Sequence, residues 1–130
     1  MLNIAICDDM HLQRELVKIL IQEYEIQNCV RFNIYQFESG EKFLEKFLEN
    51  TNFFDLIFLD NIMKNLTGLQ TAINIRSYNK TCHIVFITAS EETNFQEVSP
   101  LKVIIKPVQI ELLDKILDTV LSGEIVKKII

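Results

Sequence analysis

Leu56-Ile57-Phe58-Leu59-Asp60 decides the fold: four consecutive apolar residues that stop on an acid. A strand buried on both faces reads as an unbroken apolar run, whereas a strand with one wet face alternates. The same pattern recurs along the chain. Ile4-Ala5-Ile6-Cys7 ends on Asp8-Asp9, Ile84-Val85-Phe86-Ile87 ends on Thr88, and Val103-Ile104-Ile105 ends on Lys106-Pro107. As parallel strands, these runs bring their carboxyl ends to one rim, where open α/β folds bind ligands. An acid pair, a lone acid, a hydroxyl and an amine then face one shallow site.

Working outward, the spacing predicts strands at 2–7, 31–37, 55–59, 83–88 and about 102–105, and helices at 10–27, 40–50, 67–78 and about 108–121. Residues 31–37 mix polar and apolar positions, as an edge strand does. The first helix is expected to bury Leu12, Leu16, Ile19, Leu20 and Tyr24, with Asp9 capping its start. Ser39 is placed to cap the second, whose apolar face carries Phe43, Leu44, Phe47 and Leu48. Leu69, Ala72, Ile73 and Arg76 share one side of the third, and Leu113, Ile116, Leu117, Val120 and Leu121 line the last. Residues 90–98 have room for about two helical turns at most before Ser99-Pro100 stops them. The alternation predicts an α/β, flavodoxin-like (βα)5 sandwich. Its parallel five-stranded sheet takes the order 2-1-3-4-5, with the site between strands 1 and 3.

With 130 residues, 48% of them hydrophobic and 24% charged, the chain suits one soluble domain. A net charge of −5 argues against direct nucleic-acid binding, which needs a basic face. Membrane spans need roughly 18 apolar residues in a row, and no run approaches that. The start, Met1-Leu2-Asn3-Ile4, lacks the basic leader of a secretory signal. Cys7, Cys29 and Cys82 are odd in number and lack metal-ligand spacing, so free thiols in a reducing, cytoplasmic setting are expected.

The rim carries the chemistry. Carboxylates about 5 Å apart repel by roughly 3 kcal/mol per pair at an effective dielectric near 20, so Asp8, Asp9 and Asp60 stay ionised together only around a cation. Oxygen ligands without histidine or cysteine select a hard ion such as Mg²⁺. A carboxylate beside that ion can attack a phosphoryl group and become an aspartyl phosphate. Lys106 supplies a fixed positive charge for the phosphate and Thr88 a hydroxyl donor. Singly, each has an ordinary reading: a helix cap for the acid doublet, a loop for Lys-Pro, a core hydroxyl for Thr88. Their joint arrangement at four strand ends is what carries weight.

Taken together, Asp8-Asp9, Asp60-x-x-Met63-x-x-Leu66-x-Gly68, Thr88-Ala89 and Lys106-Pro107 resemble the receiver domain of bacterial two-component response regulators, across essentially the whole chain. The resemblance implies that Asp60 is the phosphoacceptor. Asp9 and Asp60 would bind Mg²⁺ directly, Asp8 largely through water, and the backbone carbonyl of Ile62 would be a further ligand. Thr88 would be the switch hydroxyl, Lys106 would contact the phosphate, and the Lys106–Pro107 bond would be cis. Ala89 would keep access to Asp60 open, and Gly68 would permit a tight turn that a Cβ hinders. The implied donor is a phosphohistidine on a sensor histidine kinase. His11 and His83 are read as a helix-surface position and a strand start, not as donors.

Several positions depart from the family pattern. Lys64 stands where proline is usual, and Val103 where an aromatic commonly swings with the threonine. Only 18 residues separate Thr88 from Lys106, which implies a reduced fourth helix. The face formed by the fourth helix, fifth strand and fifth helix is still expected to respond to phosphate and is a candidate homodimer surface. Ile62, apolar where a polar side chain could position water, is expected to slow loss of the phosphoryl group.

Residues 1–122 are assigned to the receiver, with a helix stop expected at Ser122-Gly123. Residues 123–130, ending Ile129-Ile130, are read as a tail or the start of a linker to an output domain. The run Glu97-Val98-x-x-Leu101 up to Lys106-Pro107 resembles receivers joined to LytTR-type DNA-binding domains, which points to a transcription regulator. The expected role is a signalling switch and not a turnover enzyme. A haloacid-dehalogenase-like phosphatase wants a second aspartate two residues beyond the first, where Met10 and His11 stand. A flavin module wants a Ser/Thr-rich loop after strand one. A pseudo-receiver that only binds protein would not need the complete set of acids and lysine.

Overall fold

Five strands and four helices follow one another as β1 (Asn3–Cys7), α1 (His11–Asn28), β2 (Asn33–Phe37), α2 (Gly40–Glu49), β3 (Leu56–Leu59), α3 (Gly68–Tyr78), β4 (His83–Thr88), β5 (Lys102–Ile105) and α4 (Ile110–Ile129). This computed structural model describes residues 1–89 and 93–129, with side chains through Gly123. All neighbouring strands pair in parallel, in the order β2-β1-β3-β4-β5 that the sequence predicts.

Alternation along the strands divides the core. Ile4, Ile6, Leu56, Phe58, Val85, Ile87 and Ile104 point to one side, where they meet Val17, Ile21 and Tyr24 of α1 and Leu113, Leu117 and Val120 of α4. Ala5, Cys7, Ile57, Leu59, Ile84 and Phe86 point to the other, against Phe43 and Phe47 of α2 and Ala72 and Ile75 of α3. Successive strand side chains face opposite ways, so a strand covered on both faces is apolar at every position.

Register sets the height of the rim. Cys7 pairs with Leu59, so Asp8 and Asp60 leave their strands at one level. Leu59 pairs with Phe86, which places Thr88 a step higher, and Thr88 pairs with Ile105, which places Lys106 higher again.

Helix faces and ends differ in detail from the sequence reading. In α1, Leu12 is 78% and Ile19 52% exposed, while Val17 and Ile21 are buried with Tyr24. Apolar residues at 16, 17, 19, 20 and 21 allow two helical faces. Where the helix starts relative to β1 chooses between them. That start is Met10, whose backbone amide donates to Asp8 Oδ1 at 2.9 Å, so Asp8 and not Asp9 braces the first turn. Ser39 does cap α2, although Leu48 is exposed. In α3, Ile75 is buried where Ile73 is exposed, and Thr67 and Gln70 form a reciprocal capping box.

The expected stop at Ser122-Gly123 is not a stop: α4 runs on to Ile129. Gly123 keeps a negative φ, and without a left-handed residue or a proline nothing there ends the helix. Whether residues 124–130 serve as a tail or a linker rests on side chains outside the described ones. Between β4 and β5 the described residues hold a single 3-10 turn, Gln96–Val98, in place of a helix; residues 90–92 of the expected helical stretch lie outside the description. Phe95 stacks on Phe86 at 4.0 Å, and Arg76 of α3 donates to the carbonyls of Val98 and Ser99.

Candidate functional site

Each predicted rim residue sits where its strand ends. Asp8 follows β1 and Asp60 follows β3, 6% and 5% exposed, with half-buried Asp9 beside them. One carboxylate oxygen from each of the three can be chosen so that all lie within 4.8 Å of one another. Lys106 reaches over from the end of β5, its Nζ 3.2 Å from Asp8 Oδ2 and 3.5 Å from Asp60 Oδ1. The Lys106 amide donates to the Thr88 carbonyl at 2.8 Å, which joins the last two members of the rim. The Lys106–Pro107 bond is cis, as the resemblance implies.

Burial dominates the electrostatics here. It pushes the Asp60 carboxyl up to about 6, helped by repulsion from Asp8 and opposed by the Lys106 charge and an Ile62 amide. Three carboxylates and one ammonium leave two negative charges, which a divalent cation would balance. The donor set is oxygen only, as a hard cation requires. Cys7 adds no thiolate, because burial and the adjacent acids push its thiol up to about 12; its Sγ instead lies 3.8 Å from Met63 Sδ. Asp8, Asp9 and Asp60 therefore suit a metal such as Mg²⁺.

The remaining predicted residues frame the opening. Thr88 is buried and Ala89, the next residue, is exposed. Ile62, two residues after Asp60, is 61% exposed. Gly68 is required by close approach: a Cβ there would run into the Asp60 carbonyl oxygen and lie 2.8 Å from the Asn61 Cα. Its amide donates to the Asn61 carbonyl at 2.9 Å, which folds the loop back behind the acid. Val103 packs partly buried against the α2–α3 side of the core.

Other residues of the site gave little signal in sequence. Arg14 donates to the Asp8 carbonyl at 2.7 Å and so holds the β1 end. Glu41 accepts from Asn65 Nδ2 and the Leu66 amide, which ties the loop after Asp60 to α2. Asn61, a buried amide next to Asp60, accepts from the Leu69 amide at 3.0 Å and donates to Thr93 Oγ1 at 3.2 Å. Its signal was slight: a second polar residue, next to Asp60, after the apolar run of β3.

A doubly covered parallel sheet with three acids and a lysine at its carboxyl rim defines a class, and comparison with known proteins agrees with it. The response regulator receiver domain family matches residues 4–118, and the chain belongs to it. It is 38% identical over 111 residues to the response regulator ArlR of Staphylococcus saprophyticus, covering 74% of this chain and 48% of ArlR. It is 32% identical over 117 residues to the sensory transduction protein LytR of Staphylococcus epidermidis, covering 88% of this chain and 44% of LytR. The chain thus spans about half the length of these curated relatives. Among solved structures, the response regulator TrrA of Thermotoga maritima, in complex with Mg²⁺-BeF, is 28% identical with a TM-score of 0.77, covering 92% of this chain and 99% of that one. No described helix is long and apolar enough to cross a membrane.

Proposed function

We propose that this domain accepts a phosphoryl group on Asp60 from the phosphohistidine of a sensor histidine kinase and works as a switch, not as a turnover enzyme. The observation that carries the reading is the Asp60 carboxylate, buried at the end of β3 with Lys106 Nζ 3.5 Å away and Asp8 and Asp9 alongside. Asp9 and Asp60 would hold Mg²⁺ directly and Asp8 largely through water, with the Ile62 carbonyl as a further donor. Held there, the metal would supply positive charge against the transferring oxygens. An Asp60 oxygen forms the new bond to phosphorus as the donor imidazole nitrogen leaves. Lys106 contacts the bound phosphate, the Thr88 hydroxyl turns toward it, and Ala89 leaves the approach open.

The phosphate changes the local charge and biases a two-state surface that a partner reads. The relatives are named a response regulator and a sensory transduction protein and are about twice as long, which supports an output domain beyond residues 1–122 and a role in transcription. Nucleic acid would then be bound by that output domain in the cytoplasm. The homodimer proposed for the face of the fourth helix, fifth strand and fifth helix would use β5 and α4, with the Gln96–Val98 turn where the fourth helix was expected.

Intact-mass measurement after incubation with acetyl phosphate and Mg²⁺ tests the reading. One added phosphoryl group is expected, absent in Asp60→Ala. No gain with any donor, phosphohistidine included, would favour a protein-binding pseudo-receiver.

A further inference from the structure

The segment after β4 is fastened to the core at separate points, and one of them is the residue next to Asp60. Asn61 is buried, and its carboxamide is spent in two directions: Oδ1 on the Leu69 amide at the start of α3, Nδ2 on Thr93 Oγ1 at 3.2 Å. Thr93 lies five residues after Thr88 on the same connection. Beyond it, Phe95 stacks on Phe86 and Arg76 holds the Val98 carbonyl at 2.8 Å. Asn61 is thus the one of these fastenings that sits directly beside the candidate phosphoacceptor.

We propose that Asn61 is a positioning residue whose hydrogen bond to Thr93 latches the β4–β5 connection in the arrangement described above, which phosphorylation must undo. This rests on the reading of Asp60 as phosphoacceptor. Phosphate on Asp60 recruits the Thr88 hydroxyl, and Thr93, on the same connection, shifts away from Asn61. Asn61 cannot follow, because the Leu69 amide and the Gly68–Asn61 backbone bond fix it to α3. The switch therefore exchanges the Asn61–Thr93 bond for the contact at the phosphate. A net hydrogen bond of ordinary strength sets the resting arrangement about fivefold ahead of where it would otherwise stand. With valine at position 103, no ring at that position has to move for this exchange, and the amide latch supplies the threshold.

The test uses Thr93→Val, which removes the acceptor oxygen at nearly constant volume, and Thr93→Ser, which keeps it. Affinity for beryllofluoride with Mg²⁺ is read alongside amide shifts of residues 93–105 without the mimic. Thr93→Val is expected to bind the mimic about fivefold more tightly, with its mimic-free shifts displaced toward the bound positions, while Thr93→Ser behaves as wild type. A merely structural role would leave that affinity unchanged. Equal or weaker affinity in Thr93→Val, with wild type binding normally, overturns the latch. If wild type binds no mimic and accepts no phosphoryl group, the phosphoacceptor reading falls and takes the latch with it.

Discussion

Lys106 Nζ lies 3.5 Å from Asp60 Oδ1, joining the ends of β5 and β3 across the intervening strand β4. The same ammonium is 3.2 Å from Asp8, so a single lysine sits between two buried carboxylates. Side-chain exposures of 18% for Lys106, 8% for Asp8 and 4% for Asp60 leave little water to replace it.

Lys106→Met is expected to destabilise the metal-free protein by about 2–4 kcal/mol, because removing one partner of a buried ion pair strands the other charge. Added Mg²⁺ should restore part of the loss by screening the same carboxylates. Urea unfolding with and without Mg²⁺ measures both. Equal stability of variant and wild type without metal would show that the carboxylates do not depend on the lysine.

The raised Asp60 carboxyl gives a pH dependence of definite sign. Its folded value of about 6 lies above the ordinary 3.8, so between the two the folded state holds more protons than the unfolded one. The associated stability is fully present below about pH 4 and is lost as pH rises through about 6. Asp60→Asn removes that loss. In metal-free buffer its melting temperature should exceed wild type by a few degrees at pH 7.5, on the order of 1–2 kcal/mol, and the gap should close toward pH 4. Paired thermal melts over that range decide it, and a gap that widens on acidification would reverse the assignment.

The two glycines at helix starts should respond differently to alanine. At Gly68 the new Cβ meets the Asp60 backbone carbonyl, which has nowhere to go, and a loss of roughly 2–3 kcal/mol is expected. At Gly40 it meets the Thr71 hydroxyl, a side-chain group bonded to the Thr67 carbonyl. Gly40→Ala should therefore cost less than Gly68→Ala, and Thr71→Ala should relieve part of that cost. Denaturant titration of the singles and the Gly40→Ala/Thr71→Ala double gives the comparison.

Strand order and the rim were legible because doubly buried strands leave unbroken apolar runs, and because each run ended on a residue with chemistry. Helix faces were less so. In α1 the cluster from Leu16 to Ile21 satisfies two faces, and only the packed start at Met10 selects Val17 and Ile21. At Ser122-Gly123 glycine looked like a stop, yet a glycine ends a helix only when the chain needs a left-handed residue there. Of the site, the acids and Lys106 could be read from spacing. Arg14 and Glu41 could not, since both act on backbone groups that no side-chain pattern announces. Asn61 stands beside Asp60 in the chain, but only folding brings Thr93 opposite it.

Arg76 gives the β4–β5 connection a different kind of freedom from that of a helix. It donates to the carbonyls of Asn79, Cys82, Val98 and Ser99, drawn from both sides of β4. A helix carries its own hydrogen bonds and can slide as a rigid rod at little cost. A stretch whose carbonyls are held by a neighbour's side chain must either travel with that neighbour or surrender those bonds to water. The Val98–Ser99 end of the connection is thus tied to α3, whereas Thr93, which Arg76 does not hold, is free to part from Asn61 without breaking those bonds.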